Sequence, residues 1–332
     1  MFSVLGLKSK RSNSLRSTSP TGLTERARRL PLHKRLIKLV GRLTFWWLSV
    51  TAGLLGPRSI NWIGNALGSA FYMCSKRYRT VALKNLRAAY GHEKSESEIR
   101  AMAREVFRHF ARESLVFFHL LSLSRDEINA LIDVKGIEHL DNALREGKGC
   151  VVITAHYGNW ELLARKMALL GYIINVIARD SDDPGMTGIA TRIRESGGYR
   201  VFDRDQPMIG AFRCLKNNEI LGILPDQNES GGVFVDFFGR PAATAVGPAV
   251  LSLRSGAPIV PMFAFRKPDG RYQAIAYPRI EFTPTGDRDK DVRDLTALIT
   301  AAIEREVRRN PTQWLWLHDR WKLSPEASDV GS

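Results

Sequence analysis

From residue 148 onward, short apolar runs alternate with segments whose apolar positions recur every three or four residues. The apolar runs CVVITA (150–155), YIINVIA (172–178), YRVFD (199–203), EILGILPD (219–226), GGVFVDFF (231–238), APIVPMFAF (257–265) and YQAIAYPRIEF (272–282) predict strands. Between them NWELLARKMALLG, residues 186–196, MIGAFRCLKNN, AVGPAVLSLRSG and a last segment around 290–309 predict helices. The runs are too apolar for half-exposed strands, so the sheet should be covered on both faces. The fold class this implies is α/β, with a mixed, mainly parallel central sheet flanked by helices. Residues 76–150 read as helical. KRYRTVALKNLRAAYG sets Val81, Leu86 and Tyr90 near helical spacing, SESEIRAMAREVFRHFARESLVFFHLL opens on a Ser-x-x-Glu cap, and IEHLDNALREGKG ends in glycine.

The N-terminal quarter follows neither pattern. Residues 3–24 are Ser/Thr-rich and basic, which predicts disorder. Thr44–Pro57 and Ser59–Ser75 are uncharged, but each is shorter than the roughly 20 apolar residues of a simple spanning helix. Pro57 and Arg58 interrupt them, so one continuous straight helix is not expected. The composition suits an N-terminal membrane-associated helical region, an interfacial pair of helices with Trp46, Trp47 and Trp62 at headgroup depth. A buried core hairpin preceded by a solvated tail is the alternative. The predicted organisation is a basic arm at 1–43, apolar helices at 44–75, a main domain at 76–323 and a tail at 324–332.

Charge strengthens the membrane reading. Eleven Lys and Arg against the single Glu25 give residues 1–43 a net +10 out of +15 for the whole chain. Such an arm suits nucleic acid or an anionic membrane face, and the apolar runs behind it favour the membrane. Cys74, Cys150 and Cys214 are odd in number and irregularly spaced, which argues against a disulfide framework and gives no zinc pattern.

Chemistry concentrates where CVVITA ends. His156 stands at the carboxyl end of a predicted strand, where loops of α/β folds converge. Asn159 can cap the following helix, which places Glu161 in its first turn. A turn through Tyr157–Asn159 could fold the Glu161 carboxylate back onto the imidazole and leave the other ring nitrogen as a general base. Taken alone, the same residues also fit a structural histidine and a glutamate favourable to the helix dipole. No second histidine lies on that helix for zinc, His318 being the only late candidate, and no G-x-S-x-G elbow is present.

HYGNWE resembles the H-x-x-x-x-D/E block of the lysophospholipid acyltransferase superfamily, and further blocks resemble its branch of late acyltransferases of lipid A biosynthesis. These are RYRTVALKNLRAAYG, VIARDSDDP, the stretch from LGILPDQNESGGVFVDFFGRPAAT to SGAPIVPMFAF, and NPTQWLWLHDRWK, in order over roughly residues 76–323. The resemblance implies direct attack of a lipid hydroxyl on an acyl thioester, with His156 as general base and Glu161 as its orienting acid. It further implies substrate contacts by Asn159, Arg179, Asp203, Arg204, Asp226 and Gln227, with Arg179 binding phosphate or steadying the oxyanion. Loop capping or surface ion pairing is the alternative role for Asp203, Arg204, Asp226 and Gln227. Trp314, Trp316 and Trp321 either line an acyl groove or form a packed core.

The implied partners are an acyl carrier protein as donor, a glycolipid acceptor and the anionic cytoplasmic face of the inner membrane. No nucleic acid, metal or organic cofactor is implied. Acyl-CoA is the second donor and a phosphatidylinositol mannoside the second acceptor. A nonenzymatic basic membrane- or nucleic-acid-binding protein is the competing class, and it leaves the His156 block without a role.

Overall fold

A computed structural model describes residues 51–178, 184–203 and 207–325. The basic arm, Trp46 and Trp47, Arg179, Arg204 and most of the predicted tail lie outside the described residues.

The strands are β1 (Ile132–Lys135), β2 (Cys150–Ile153), β3 (Ile174–Ala178), β4 (Arg200–Asp203), β5 (Ile220–Ile223), β6 (Asn228–Phe237), β7 (Arg240–Thr244), β8 (Ile259–Arg266) and β9 (Tyr272–Ala276). The helices are α1 (Pro57–Cys74), α2 (Lys76–Tyr90), α3 (Glu96–His119), α4 (Arg125–Leu131), α5 (Ile137–Leu144), α6 (Trp160–Leu169), α7 (Pro184–Glu195), α8 (Pro207–Lys216), α9 (Gly247–Ser255) and α10 (Arg288–Arg309). Among the described residues the central sheet runs β1-β9-β8-β2-β5-β3-β4. Its pairs are parallel except β8 with β9. The mainly parallel α/β expectation therefore holds for the central sheet.

Alternation along β2 shows why both faces are covered. Val151 and Ile153 join one apolar cluster while Cys150 and Val152 join the other, so side chains of one strand anchor two cores. The Ser-x-x-Glu signal at α3 closes as a capping box, in which Glu98 N–H donates to Ser95 Oγ and Ser95 N–H donates to Glu98 Oε2.

Three local expectations are corrected. Residues 76–150 are not helical throughout, because Ile132–Lys135 forms β1 and pairs with β9, a partner about 140 positions away that local periodicity does not report. GGVFVDFF does not enter the central sheet; it pairs antiparallel with β7 in a separate hairpin. The strand expected through residue 282 stops at Ala276, and beyond it only Tyr277 and Ile280 N–H donate, to the carbonyls of Pro261 and Ile259. Of the expected pair of apolar helices, the first lies largely outside the described residues; the second is α1, opened by Pro57, whose missing N–H costs nothing in a first turn.

α1 lies against α3 through two glycines. A Cβ at Gly64 would come within 2.9 Å of Arg112 Cα, and one at Gly68 within 2.5 Å of Arg108 Cα. Arg108 and Arg112 then donate to Ser69 Oγ and Asn65 Oδ1 across the contact. The face away from this contact exposes Trp62 and Met73, and Leu67 and Phe71 are exposed along its edge, Phe71 packing on Phe107. No helix among the described residues is long and apolar enough to cross a membrane.

Candidate active site

The loop Thr154–Asn159 leaves β2 and is stitched on both sides. Thr154 N–H donates to Ile223 of β5, Asn159 N–H to Ala264 of β8, and Gly158 N–H to Gln313. Leu315 N–H returns to His156 carbonyl, and Tyr157 bridges antiparallel to Trp314. Gly158 is required here: its φ is +54°, and a Cβ would sit 1.8 Å from Ala264 O. The C-terminal segment is held in turn by Gln313, whose carboxamide accepts from Arg266 N–H and donates to Arg266 carbonyl, both at 2.8 Å. Asn85 of α2 completes the frame by donating to the carbonyls of Trp316 and His318.

In that frame the carboxylate facing His156 belongs to Asp226. Parallel pairing aligns Ile153 with Ile223, and His156 and Asp226 each lie three residues beyond their aligned partner. His156 Nδ1 is 2.8 Å from Asp226 Oδ1, and His156 N–H donates to Asp226 Oδ2 at 2.8 Å. Trp314 Nε1–H donates to the same Oδ2 at 2.8 Å. Burial would push the Asp226 carboxyl up, but the His156 ring and these hydrogen bonds outweigh it and hold the carboxyl below the usual Asp range. An ionised Asp226 takes the proton on Nδ1 as a donor, so the neutral ring carries its lone pair on Nε2. Gln227 Nε2 lies 3.3 Å from that nitrogen. The Trp160 ring stacks edge-on against the imidazole at 5.1 Å, and the His156 side chain keeps 16% exposure, enough for a reactant to reach it.

Glu161 does not orient His156. Its Oε1 accepts from Arg194 Nη2 at 2.5 Å and its Oε2 accepts from Tyr199 OH at 2.7 Å. The reason is directional: α6 begins at Trp160, so Glu161 radiates from an axis set by packing and meets α7 rather than the loop behind it. Burial opposes its ionisation, yet Arg194 holds the carboxyl below the usual Glu range. Asn159 is buried and engaged: its Oδ1 accepts from Leu162 N–H as the expected cap, and its Nδ2 donates to Glu113 Oε2. It thereby ties the loop to α3, where Tyr272 OH also holds Glu113.

The other expected residues separate. Asp203 closes β4, while Arg179 and Arg204 fall outside the described residues. Trp314 and Trp316 pack in the core with Phe237, Phe238 and Tyr90, which resolves their alternatives toward packing. His318 Nε2 accepts from Asn228 N–H at 3.0 Å. Burial and the nearby His156 lower its pKa to about 4 and keep it neutral. Arg320 is buried, donates to Ala243 carbonyl and Thr244 Oγ1, and has its pKa lowered to about 10 by burial.

Beside Trp160, whose other side packs against the His156 ring, is a small cleft lined by Phe110, Glu113, Phe117, Gly158, Asn159, Trp160 and Glu161. Among the described residues no group of three or more His, Cys, Asp and Glu could hold a metal ion. Cys150 and Cys214 are buried with thiols pushed up to about 12, so neither is an activated nucleophile. Arg194 and Tyr199 were not among the sequence-derived site residues, and Trp314 was expected in an acyl groove or the core rather than as a donor to Asp226; an indole and an arginine distant in sequence give no local signal of the carboxylate they meet.

Comparison with known proteins adds the family. The family described as bacterial lipid A biosynthesis acyltransferase matches residues 33–323. The chain is 29% identical over 268 residues to the lipid A biosynthesis lauroyltransferase of Escherichia coli (strain K12), covering 80% of this chain and 85% of that protein. It is 28% identical over 267 residues to the palmitoleoyltransferase of the same organism, covering 79% and 85%. A phosphatidylinositol mannoside acyltransferase of Mycobacterium tuberculosis (strain CDC 1551 / Oshkosh) is 26% identical over 215 residues, covering 61% and 65%. A match over most of the chain, around a histidine set at the end of a central strand, places the protein in a family of enzymes: it belongs to the bacterial lipid A biosynthesis acyltransferases.

Proposed function

We propose that this acyltransferase moves a fatty acyl chain from an acyl carrier protein thioester to a hydroxyl of a lipid A precursor, by direct attack with His156 as base and Asp226 as its orienting carboxylate. The observation that carries the reading is the Asp226 contact to Nδ1, which leaves Nε2 able to take a proton. The hydroxyl loses its proton to Nε2 as its oxygen adds to the thioester carbonyl. The imidazolium, stabilised by Asp226, returns that proton to the departing sulfur. The buried, high-pKa thiols favour direct transfer over an acyl-enzyme. Phe110, Phe117 and Trp160 give the neighbouring cleft the apolar wall an acyl chain needs.

The main domain at 76–323 holds this machinery in the proposal, and Arg179, Asp203 and Arg204 keep their assignment to binding of the phosphorylated acceptor. α1 rests on the cytoplasmic face of the inner membrane by its outer side, flanked by exposed Arg58, Lys76 and Arg77 and joined there by the basic arm. A lipid A precursor is preferred over a mannoside because the lipid A relatives match more of the chain.

The test is turnover of a dodecanoyl acyl carrier protein thioester on a hydroxyacylated lipid A precursor, with products identified by mass spectrometry. His156→Ala should abolish transfer, and Asp226→Asn should lower kcat by about 10³- to 10⁴-fold, since it favours the wrong tautomer. Full turnover by either variant refutes the pair.

A further inference from the structure

The Gln227 carboxamide faces the reactive nitrogen of the proposed base, and that placement has chemical content. Because Asp226 fixes the proton on Nδ1, Nε2 presents a lone pair, and a lone pair is faced by a donor. The Gln227 atom 3.3 Å away is accordingly its amide nitrogen, with an N–H directed to the place where the attacking hydroxyl must stand. Gln227 follows Asp226 directly, so one turn beyond β5 supplies both the group that orients the base and the donor that faces its free side. Behind this turn is Arg320. Its guanidinium is 1% exposed, lies 3.5 Å from Gln227 carbonyl and forms no ion pair with a carboxylate among the described residues. Its Nε has no hydrogen-bond partner among the described residues, so a buried positive charge stands behind a neutral donor.

We propose that Gln227 is a catalytic residue, the donor that stabilises the oxyanion of the tetrahedral intermediate; the proposal rests on His156 being the base. When the acceptor hydroxyl enters, it replaces the carboxamide as donor to Nε2, and the amide N–H leaves the ring nitrogen. The oxygen–carbon bond forms as the hydroxyl proton passes to Nε2, and the carbonyl π pair moves onto oxygen beside the Gln227 amide. Collapse re-forms the carbonyl, the carbon–sulfur bond breaks with its pair on sulfur, and Nε2–H protonates the thiolate. An ester and a free thiol result. The amide bond to Nε2 is long for a hydrogen bond and is given up on substrate entry, whereas the bond to the oxyanion exists only during reaction. That difference is what lowers a barrier.

The test uses the full chain in detergent with dodecanoyl acyl carrier protein and the hydroxyacylated lipid A precursor, comparing Gln227→Ala, Gln227→Glu and His156→Ala. The expected result for Gln227→Ala is a kcat about 10²- to 10³-fold lower, with both KM values within about threefold and the acid limb of the pH profile unmoved. Gln227→Glu keeps the shape but offers no N–H, so it loses at least as much and decides the matter if the alanine variant misfolds. A rise in acceptor KM at unchanged kcat would make Gln227 an acceptor-binding residue and overturn the proposal, as would near-normal kcat in the glutamate variant. A dead His156→Ala beside an active Gln227→Ala sinks this inference alone, whereas an active His156→Ala sinks the base assignment and this inference with it.

Discussion

Asp226 accepts hydrogen bonds from three groups that different parts of the chain deliver: the ring and the backbone N–H of His156, and the indole of Trp314. Each donor favours the carboxylate over the acid, so the residue stays ionised although it is 3% exposed. Glu161 reaches the same state with different partners, and removing its charge isolates what it does. Glu161→Gln leaves the Arg194 guanidinium buried without its counter-charge and should cost roughly 3 kcal/mol, the scale for breaking one side of a buried pair. Denaturant melts measure that loss, and the acid limb of the pH–rate profile should stay in place. A displaced limb at unchanged stability would return Glu161 to His156. His318 yields a pH dependence. Its pKa is depressed from 6.5 to about 4, so between these values the unfolded chain binds a proton that the folded chain refuses. This contribution is complete above pH 6.5 and is lost as pH falls toward 4, about 3 kcal/mol at about 1.4 per unit. His318→Gln, whose amide oxygen can still accept from Asn228 N–H, should flatten the loss, and matched melts at pH 7 and 4.5 compare the two. An identical slope in the variant would assign the acid sensitivity to other groups.

Helix α1 has one face packed and another exposed. Gly64 and Gly68 bring its backbone against α3, and Asn65 and Ser69 satisfy the arginines alongside. The face turned away carries Trp62 at 75% exposure and, three turns on, Met73 at 67%, with no charge between Ser59 and Ser75. A large apolar side chain left in water forgoes roughly 1.5–3 kcal/mol that burial would give it, so an uncharged stripe flanked by cations is suited to the headgroup boundary of an anionic bilayer. Changing Trp62, Leu67, Phe71 and Met73 together to serine should lower partition onto phosphatidylglycerol-rich vesicles by more than about tenfold, even if each contributes only a fraction of that energy. Co-sedimentation reads the partition. Turnover in detergent should persist, since none of the four lines the His156 site. Unchanged partition would move the membrane contact to another part of the chain.

In the whole molecule the site is a meeting of distant segments, and this sets how much of it could be read beforehand. Strands such as CVVITA and EILGILPD were legible because burial on both faces demands unbroken apolar runs, and α3 was legible because its cap and stripe are local. The short β1 and the β6–β7 hairpin were not, since their identity depends on partners that periodicity does not encode. His156 was legible as a reactive group because it ends such a run, and Asp226 because its block resembles a known one. Their pairing was hidden.

A sequence fixes what lies within a few residues along the chain: the periods of helix and strand, the caps, the histidine at a strand end and the charge of the arm. Which carboxylate meets that histidine is decided by the parallel register of β2 with β5, where Ile153 opposes Ile223 and equal offsets bring together residues seventy positions apart. The nearer Glu161 loses because the direction of α6, set by packing on the sheet, carries it to Arg194. Spacing along a chain constrains distance only until the backbone turns, and the turn at Gly158 belongs to the contacts that enclose it.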